Sequence, residues 1–146
     1  NSSIVEEVDL TLIEAPNSVG NTVIDEEHLE CTRVLNMVLE DCVKYGGSKI
    51  TTLSKALITL ENHFTHEETL LTKHCFGSGS TFDVMEGHKT DHKRVLDIAR
   101  EALESNGEND DVLIDKAIAR SFVDGFLTHA KGFDSLFENF LPELSH

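Results

Sequence analysis

The stretch Leu60-Glu61-Asn62-His63-Phe64-Thr65-His66-Glu67-Glu68-Thr69-Leu70-Leu71 decides the fold. With Leu53 and Leu57 ahead of it, its apolar residues recur at intervals of three and four, the period of an α-helix that buries one face. His63 and Glu67 fall on that apolar stripe rather than on the solvent side. Groups of this kind need partners when buried, because leaving them unpaired costs on the order of several kcal/mol.

The pattern repeats in three other segments. One starts near Ile24-Asp25, carries an acidic first turn (Asp25, Glu26, Glu27) suited to the positive end of a helix dipole, and presents Ile24, His28, Cys31, Leu35, Val38, Leu39 and Cys42 before Gly46-Gly47 stops it. The quoted stretch belongs to a helix expected from about Ser48 to His74, broken by Gly77-Ser78-Gly79-Ser80. A third runs from about Asp83 to Ser105 with Val84, His88, His92, Val95, Ala99 and Ala102 on one face. The fourth spans roughly Val112 to Lys131 with Ile114, Ile118, Phe122, Gly125, Phe126 and His129. No strand-like alternation appears. Four amphipathic helices on short connections predict an all-α, antiparallel up-down-up-down four-helix bundle in a single domain over residues 1–146. Residues 1–23 form an N-terminal arm, too apolar at Ile4, Val5, Val8, Leu10, Leu12 and Ile13 for a free tail, and are expected to lie across the bundle at 24–131. Residues 132–146 form a short C-terminal helical segment ended by Pro142.

Composition narrows the function. The 27 acidic against 12 basic residues give a formal charge of -15, which repels nucleic acid and anionic membranes. No apolar run approaches the ~20 residues of a membrane span, and no basic-then-apolar leader opens the chain. Cys31 and Cys42 are separated by roughly 16 Å along one helix at about 1.5 Å per residue, too far for a disulfide, and with Cys75 they make an odd set without a CxxC spacing. These features predict a reducing, cytoplasmic location with no nucleic-acid or membrane partner.

Residues four apart on a helix differ by about 40° in direction, so His63 and Glu67 address one site, as do His88 and His92. His129 and Asp134 are five apart, about 140° on a regular helix, so distortion is expected near Gly132 between them. Five imidazoles and two carboxylates on four inward stripes exceed one tetrahedral zinc, and HExxH is absent. The one ExxH pair, Glu143 with His146, lies in the tail, away from the bundle stripes where a ferritin-like site needs it. A nitrogen-rich dinuclear centre remains; iron suits that ligation, with manganese or cobalt as alternatives.

These residues resemble the hemerythrin family. The matching text is Ile24-Asp25-Glu26-Glu27-His28, His63-Phe64-Thr65-His66-Glu67-Glu68, His88 with His92, and His129-Ala130-Lys131-Gly132-Phe133-Asp134, covering about residues 23 to 140. The resemblance implies two non-heme iron ions with an oxo or hydroxo bridge. His88, His92 and His129 would hold one iron, His28 and His63 the other, and Glu67 and Asp134 would bridge them. The position left open would take dioxygen, so the implied activity is reversible dioxygen binding for storage, delivery or buffering rather than enzymatic turnover. A sensory domain of a longer protein reporting oxygen, redox state or iron is the alternative, and a di-iron enzyme reducing peroxide or nitric oxide a third. Phe64, Gly125 and Phe126 are expected at the oxygen pocket. The family commonly has a tryptophan at the position of Gly125 and an aliphatic residue at that of Ala130, so a pocket more open to water is expected, with Phe126 partly filling the gap.

Overall fold

The computed structural model describes residues 7–74, 79, 82–106, 109 and 111–133. Four helices carry the chain: α1 (Thr22–Tyr45), α2 (Ile50–Lys73), α3 (Phe82–Asn106) and α4 (Lys116–Phe133). Each packs on the next, and α4 returns to α1, which closes a bundle. The pairs that meet fix the directions. His28, early in α1, lies beside His63, late in α2; Glu67, late in α2, meets His88, early in α3; and His92 lies beside His129, late in α4. Consecutive helices therefore run antiparallel. The expected short C-terminal helix lies outside the described residues, as do Ile4, Val5 and Cys75.

Local chemistry sets the boundaries. Asn21 caps α1, its side-chain oxygen accepting from the Ile24 N–H at 3.0 Å. Gly46 ends the helix in the left-handed conformation (φ 86°), which a residue without Cβ adopts at no steric cost, and its N–H donates to the Cys42 carbonyl at 3.0 Å. The arm crosses α1 and α4. The Ile13 N–H donates to Asn36 Oδ1 at 2.8 Å, Asn36 Nδ2 donates back to the Ile13 carbonyl at 3.0 Å, and Arg120 reaches the Thr11 carbonyl. Leu10 and Ile13 pack on the core, while Leu12 faces solvent.

Contrary to the sequence expectation, two short strands are present. β1 (Gly47–Lys49) pairs antiparallel with β2 (Leu113–Asp115), with Gly47 opposite Asp115, Ser48 opposite Ile114 and Lys49 opposite Leu113. A Cβ on Gly47 would lie 2.5 Å from the Ile114 carbonyl oxygen, so this close approach requires glycine. The fourth helix consequently starts at Lys116, not near Val112, with Asp115 accepting from the Ala117 N–H at 2.7 Å as its cap. Two stripe residues are corrected as well: Val84 and Ile118 are exposed, and Met85 and Ala119 are buried in their place.

The apolar interior falls into two parts. The larger includes Cys31, Leu35, Val38, Leu39, Leu53, Leu60, Phe64, Val95, Ala99, Phe122 and Phe126. The smaller, Val19, Ile24, Leu71 and Met85, sits toward the opposite end of the helices. His28, His63, Glu67, His88 and His92 fall between the two along α1, α2 and α3, so a buried polar layer divides the core. Among the described residues no helix is long and apolar enough to cross a membrane.

Candidate metal centre

Glu67 is fully buried and lies at the middle of this layer. Its Oε1 is 2.6 Å from His88 Nε2, 3.1 Å from His92 Nε2 and 3.6 Å from His129 Nε2. Its Oε2 is 3.0 Å from His63 Nε2 and 4.0 Å from His28 Nε2. One carboxylate thus serves two groups, three imidazoles on one oxygen and two on the other, and the ligand atoms within each group lie within 4.8 Å of one another. The five histidines are at most 3% exposed.

Carboxylates hold three of the rings from outside. His63 Nδ1 is 2.9 Å from Glu27 Oε1, His92 Nδ1 is 2.6 Å from Glu68 Oε2, and His129 Nδ1 is 2.8 Å from Asp91 Oδ2. Each acid reaches from one helix to the next, α1 to α2, α2 to α3 and α3 to α4. Each also neighbours in sequence a residue of the inner cluster: Glu27 precedes His28, Glu68 follows Glu67, and Asp91 precedes His92. Sequence reasoning had not singled out these three acids for this task. An ionised carboxylate only accepts, so the facing Nδ1–H donates and the inner Nε2 presents a lone pair.

That tautomer creates an electrostatic demand. Burial pushes the His92 imidazole below its ordinary value, so it is neutral near pH 7, and its Nε2 lone pair lies 2.8 Å from His88 Nε2 and 3.1 Å from Glu67 Oε1. Burial alone pushes the Glu67 carboxyl up, but the electrostatic attraction of the surrounding His63, His129 and His88 imidazoles outweighs it and holds the carboxyl well below the usual range. A neutral ring cannot donate outward to an acid and inward to Glu67 at once. The layer therefore calls for positive charge among the Nε2 atoms, which bound cations supply at neutral pH. Imidazole nitrogens around a shared carboxylate fit iron and its first-row neighbours.

Aromatic rings close the layer on the core side. Phe64 stacks on His92 at 4.0 Å between centroids and also packs against His63 and His129, while Phe126 meets His28 edge-on at 6.0 Å. Gly125 does not open space toward the cluster as expected. It faces α3, where a Cβ would meet the Val95 methyls at 3.4 and 3.5 Å and Ile98 Cδ1 at 3.6 Å, so Val95 and Ile98 already occupy that side. Cys31 belongs to the core and Cys42 is buried too, its thiol pushed up to about 11 by burial and by Asp41 and Asp115. His66 is partly exposed, its Nδ1 held by Glu27 Oε2. Asp134 lies outside the described residues; α4 runs as helix through Gly132 to Phe133.

The model of the hemerythrin HHE cation-binding domain matches residues 19–141. The chain belongs to the hemerythrin family. No curated protein and no solved structure matches it. Family membership and the buried His/Glu layer together make this a metal-binding domain of the iron-binding hemerythrin type.

Proposed function

We propose that this hemerythrin-family chain binds dioxygen reversibly at a non-heme pair of iron ions, for storage, delivery or buffering. The observation that supports it best is the unequal division of five imidazoles on one buried carboxylate, three on Glu67 Oε1 and two on Oε2. His88, His92 and His129 would hold one ion and His28 and His63 the other, with Glu67 shared; by family resemblance Asp134 would supply a second carboxylate. The side with fewer imidazoles would be the one that leaves a position for dioxygen. A bound ferrous pair would supply the two electrons that reversible dioxygen binding needs.

The protein's own contribution is positional. Glu27, Glu68 and Asp91 fix three rings with their Nε2 atoms inward, so little rearrangement is needed when charge changes at the centre. Phe64 and Phe126 keep the core side dry, and Glu67 keeps negative charge between the two groups. The net process is binding and release, not turnover. Both described cysteines are buried, which supports a reducing, cytoplasmic setting as part of this proposal.

The test is an absorption spectrum of the protein reduced without air, exposed to air and then evacuated. A colourless reduced form should gain visible absorption in air and lose it under vacuum, with two irons per chain throughout. Irreversible oxidation with no recovery on evacuation would remove the storage reading and leave a sensor of oxygen, redox state or iron. Steady consumption of peroxide or nitric oxide would make it an enzyme instead.

A further inference from the structure

The inner cluster is at most 3% exposed at every histidine, so a metal ion must have a way in. A cleft of about 290 Å³ opens between α1 and α2, lined by Glu27, Glu30, Cys31, Thr59, Asn62 and His63. Its floor is therefore one of the histidines of the two-imidazole group. Its other lining residues bring two carboxylates, an amide and a hydroxyl beside Cys31, and none of them is a lysine or arginine. We propose that this cleft is the access route for the divalent metal ion, with Glu30, Asn62 and Glu27 as successive oxygen contacts on the way to His63. The proposal rests on the reading that the His/Glu layer binds metal.

Size and charge support a cation here. Six waters at about 30 Å³ each make a hydrated ion of about 180 Å³ before counting the metal, which the cleft holds with room to shed water. The chain carries a formal charge of -15, which draws cations toward its surface. Glu30 is half-exposed at the rim, where it pairs with Arg33 across one turn. Glu27 lies deeper and binds His63 Nδ1 with one oxygen and His66 Nδ1 with the other. An ion that draws Glu27 toward itself loosens the group holding the His63 ring, and rotation of that ring then brings the ion to the Nε2 side. A second groove, between α2 and α3, is lined by Thr65, Glu68, Thr69, Thr72, Lys73 and Lys89, and also backs onto a ring-holding acid. Its two lysines repel a dication, which favours the α1–α2 cleft.

The experiment uses Co²⁺ as the probe, following its visible bands during uptake by the metal-stripped 146-residue chain and during release from the loaded chain to excess chelator. An access route governs both directions, so filling it slows uptake and release by one factor and leaves affinity and stoichiometry unchanged; damage to the ligands changes affinity. Thr59→Trp should slow both rates by at least about tenfold, a barrier increase of about 1.4 kcal/mol. Glu30→Gln, at the exposed rim, should slow uptake by about two- to fivefold and weaken its dependence on salt. Thr69→Trp, in the other groove, should load like the parent. Parental rates in Thr59→Trp with full stoichiometry would overturn the route, as would slowing by Thr69→Trp in place of Thr59→Trp. If Thr59→Trp does not fold, Glu30→Gln decides: unchanged uptake and unchanged salt dependence reject the proposal. A parent chain that takes up no Co²⁺ would overturn the metal-centre reading itself, whereas a parent that loads normally beside indifferent cleft variants would overturn only the route.

Discussion

Near the small sheet, the bundle interior is filled by Leu39, Cys42, Leu53, Ala102, Ile114 and Ala119, and chain direction is set by Gly46, Gly47 and the pairing of β1 with β2. At the other end, the same four helices turn five imidazoles and a carboxylate inward, cover them, among the described residues, with the small cluster of Val19, Ile24, Leu71 and Met85, and brace them with acids from neighbouring helices. The first end gains stability from burial alone, about 1.5–3 kcal/mol for each large apolar side chain removed from water. The second buries groups that oppose folding until positive charge joins them. Stability at one end is a property of the chain, and at the other a property of the chain with its ligand.

Removing metal is the sharpest way to break this contrast. A ligand that binds only the native state stabilises it by mass action, so stripping the metal should lower the melting temperature substantially. Glu67→Gln keeps the shape but removes the shared charge, and should cost bound metal as well as the metal-dependent part of the melting temperature. Leu39→Ala, at the apolar end, should cost about 2–5 kcal/mol whether metal is present or not. Metal analysis and denaturant titration of the parent and both variants, each with and without metal, separate these outcomes. Equal melting of stripped and loaded parent at neutral pH would show that the polar layer is satisfied without a cation.

Acid should act at the polar end in the same direction. His92 has a folded value below its ordinary 6.5, so as pH falls below about 6.5 the unfolded chain takes up a proton that the folded chain resists, and stability drops. Glu67 and Glu27, held below 4.5, and Asp91, held below 3.8, add losses at lower pH, since their stabilisation is complete above those values and disappears as they protonate in the fold. Melting temperature of the metal-free chain should therefore fall from pH 7 to pH 4, in a broad step beginning near pH 6.5. A rise over that range would contradict the buried neutral state of His92. In the loaded chain, protons compete with metal for the imidazoles, and metal release should accompany the fall.

The stripes of α1 and most of α2 were legible because an apolar period of three to four survives the insertion of histidine. The same reasoning brought His28, His63, Glu67, His88, His92 and His129 to one site. It misassigned Val84 and Ile118 because both lie in the first turn of their helices, where a shift of one or two residues in the start changes which side chain faces inward; Met85 and Ala119 are buried instead. The strands escaped notice because three residues are too few to show alternation, and Leu113–Asp115 reads equally as the start of a helix. Glu27, Glu68 and Asp91 were hidden for a different reason. Beside an inward residue, each reads as the solvent face of its own helix, and only packing carries it to the next helix's histidine. The usable signal is an acid adjacent to an inward residue on three successive helices.

Gly125 tests how closely the two regions are joined, since it lies on α4 between the apolar core and His129. The sequence suggested a gap there that a larger side chain would fill. The structure instead places Val95 and Ile98 of α3 against the glycine, at distances that a methyl group meets as ordinary contacts. Gly125→Ala should therefore be neutral to stabilising, recovering up to about 1 kcal/mol that glycine costs in a helix interior. Gly125→Leu should lose about 1–3 kcal/mol by overpacking. Val95 is one turn from His92, and displacing it pushes on a ring already held between Phe64 and Glu68, so the leucine variant should also bind metal more weakly than the alanine variant. Denaturant titration with metal analysis on the two variants checks both effects. A leucine variant as stable as the parent, with unchanged metal affinity, would mean that α3 and α4 separate freely at this level and that the polar layer is positioned independently of the core beneath it.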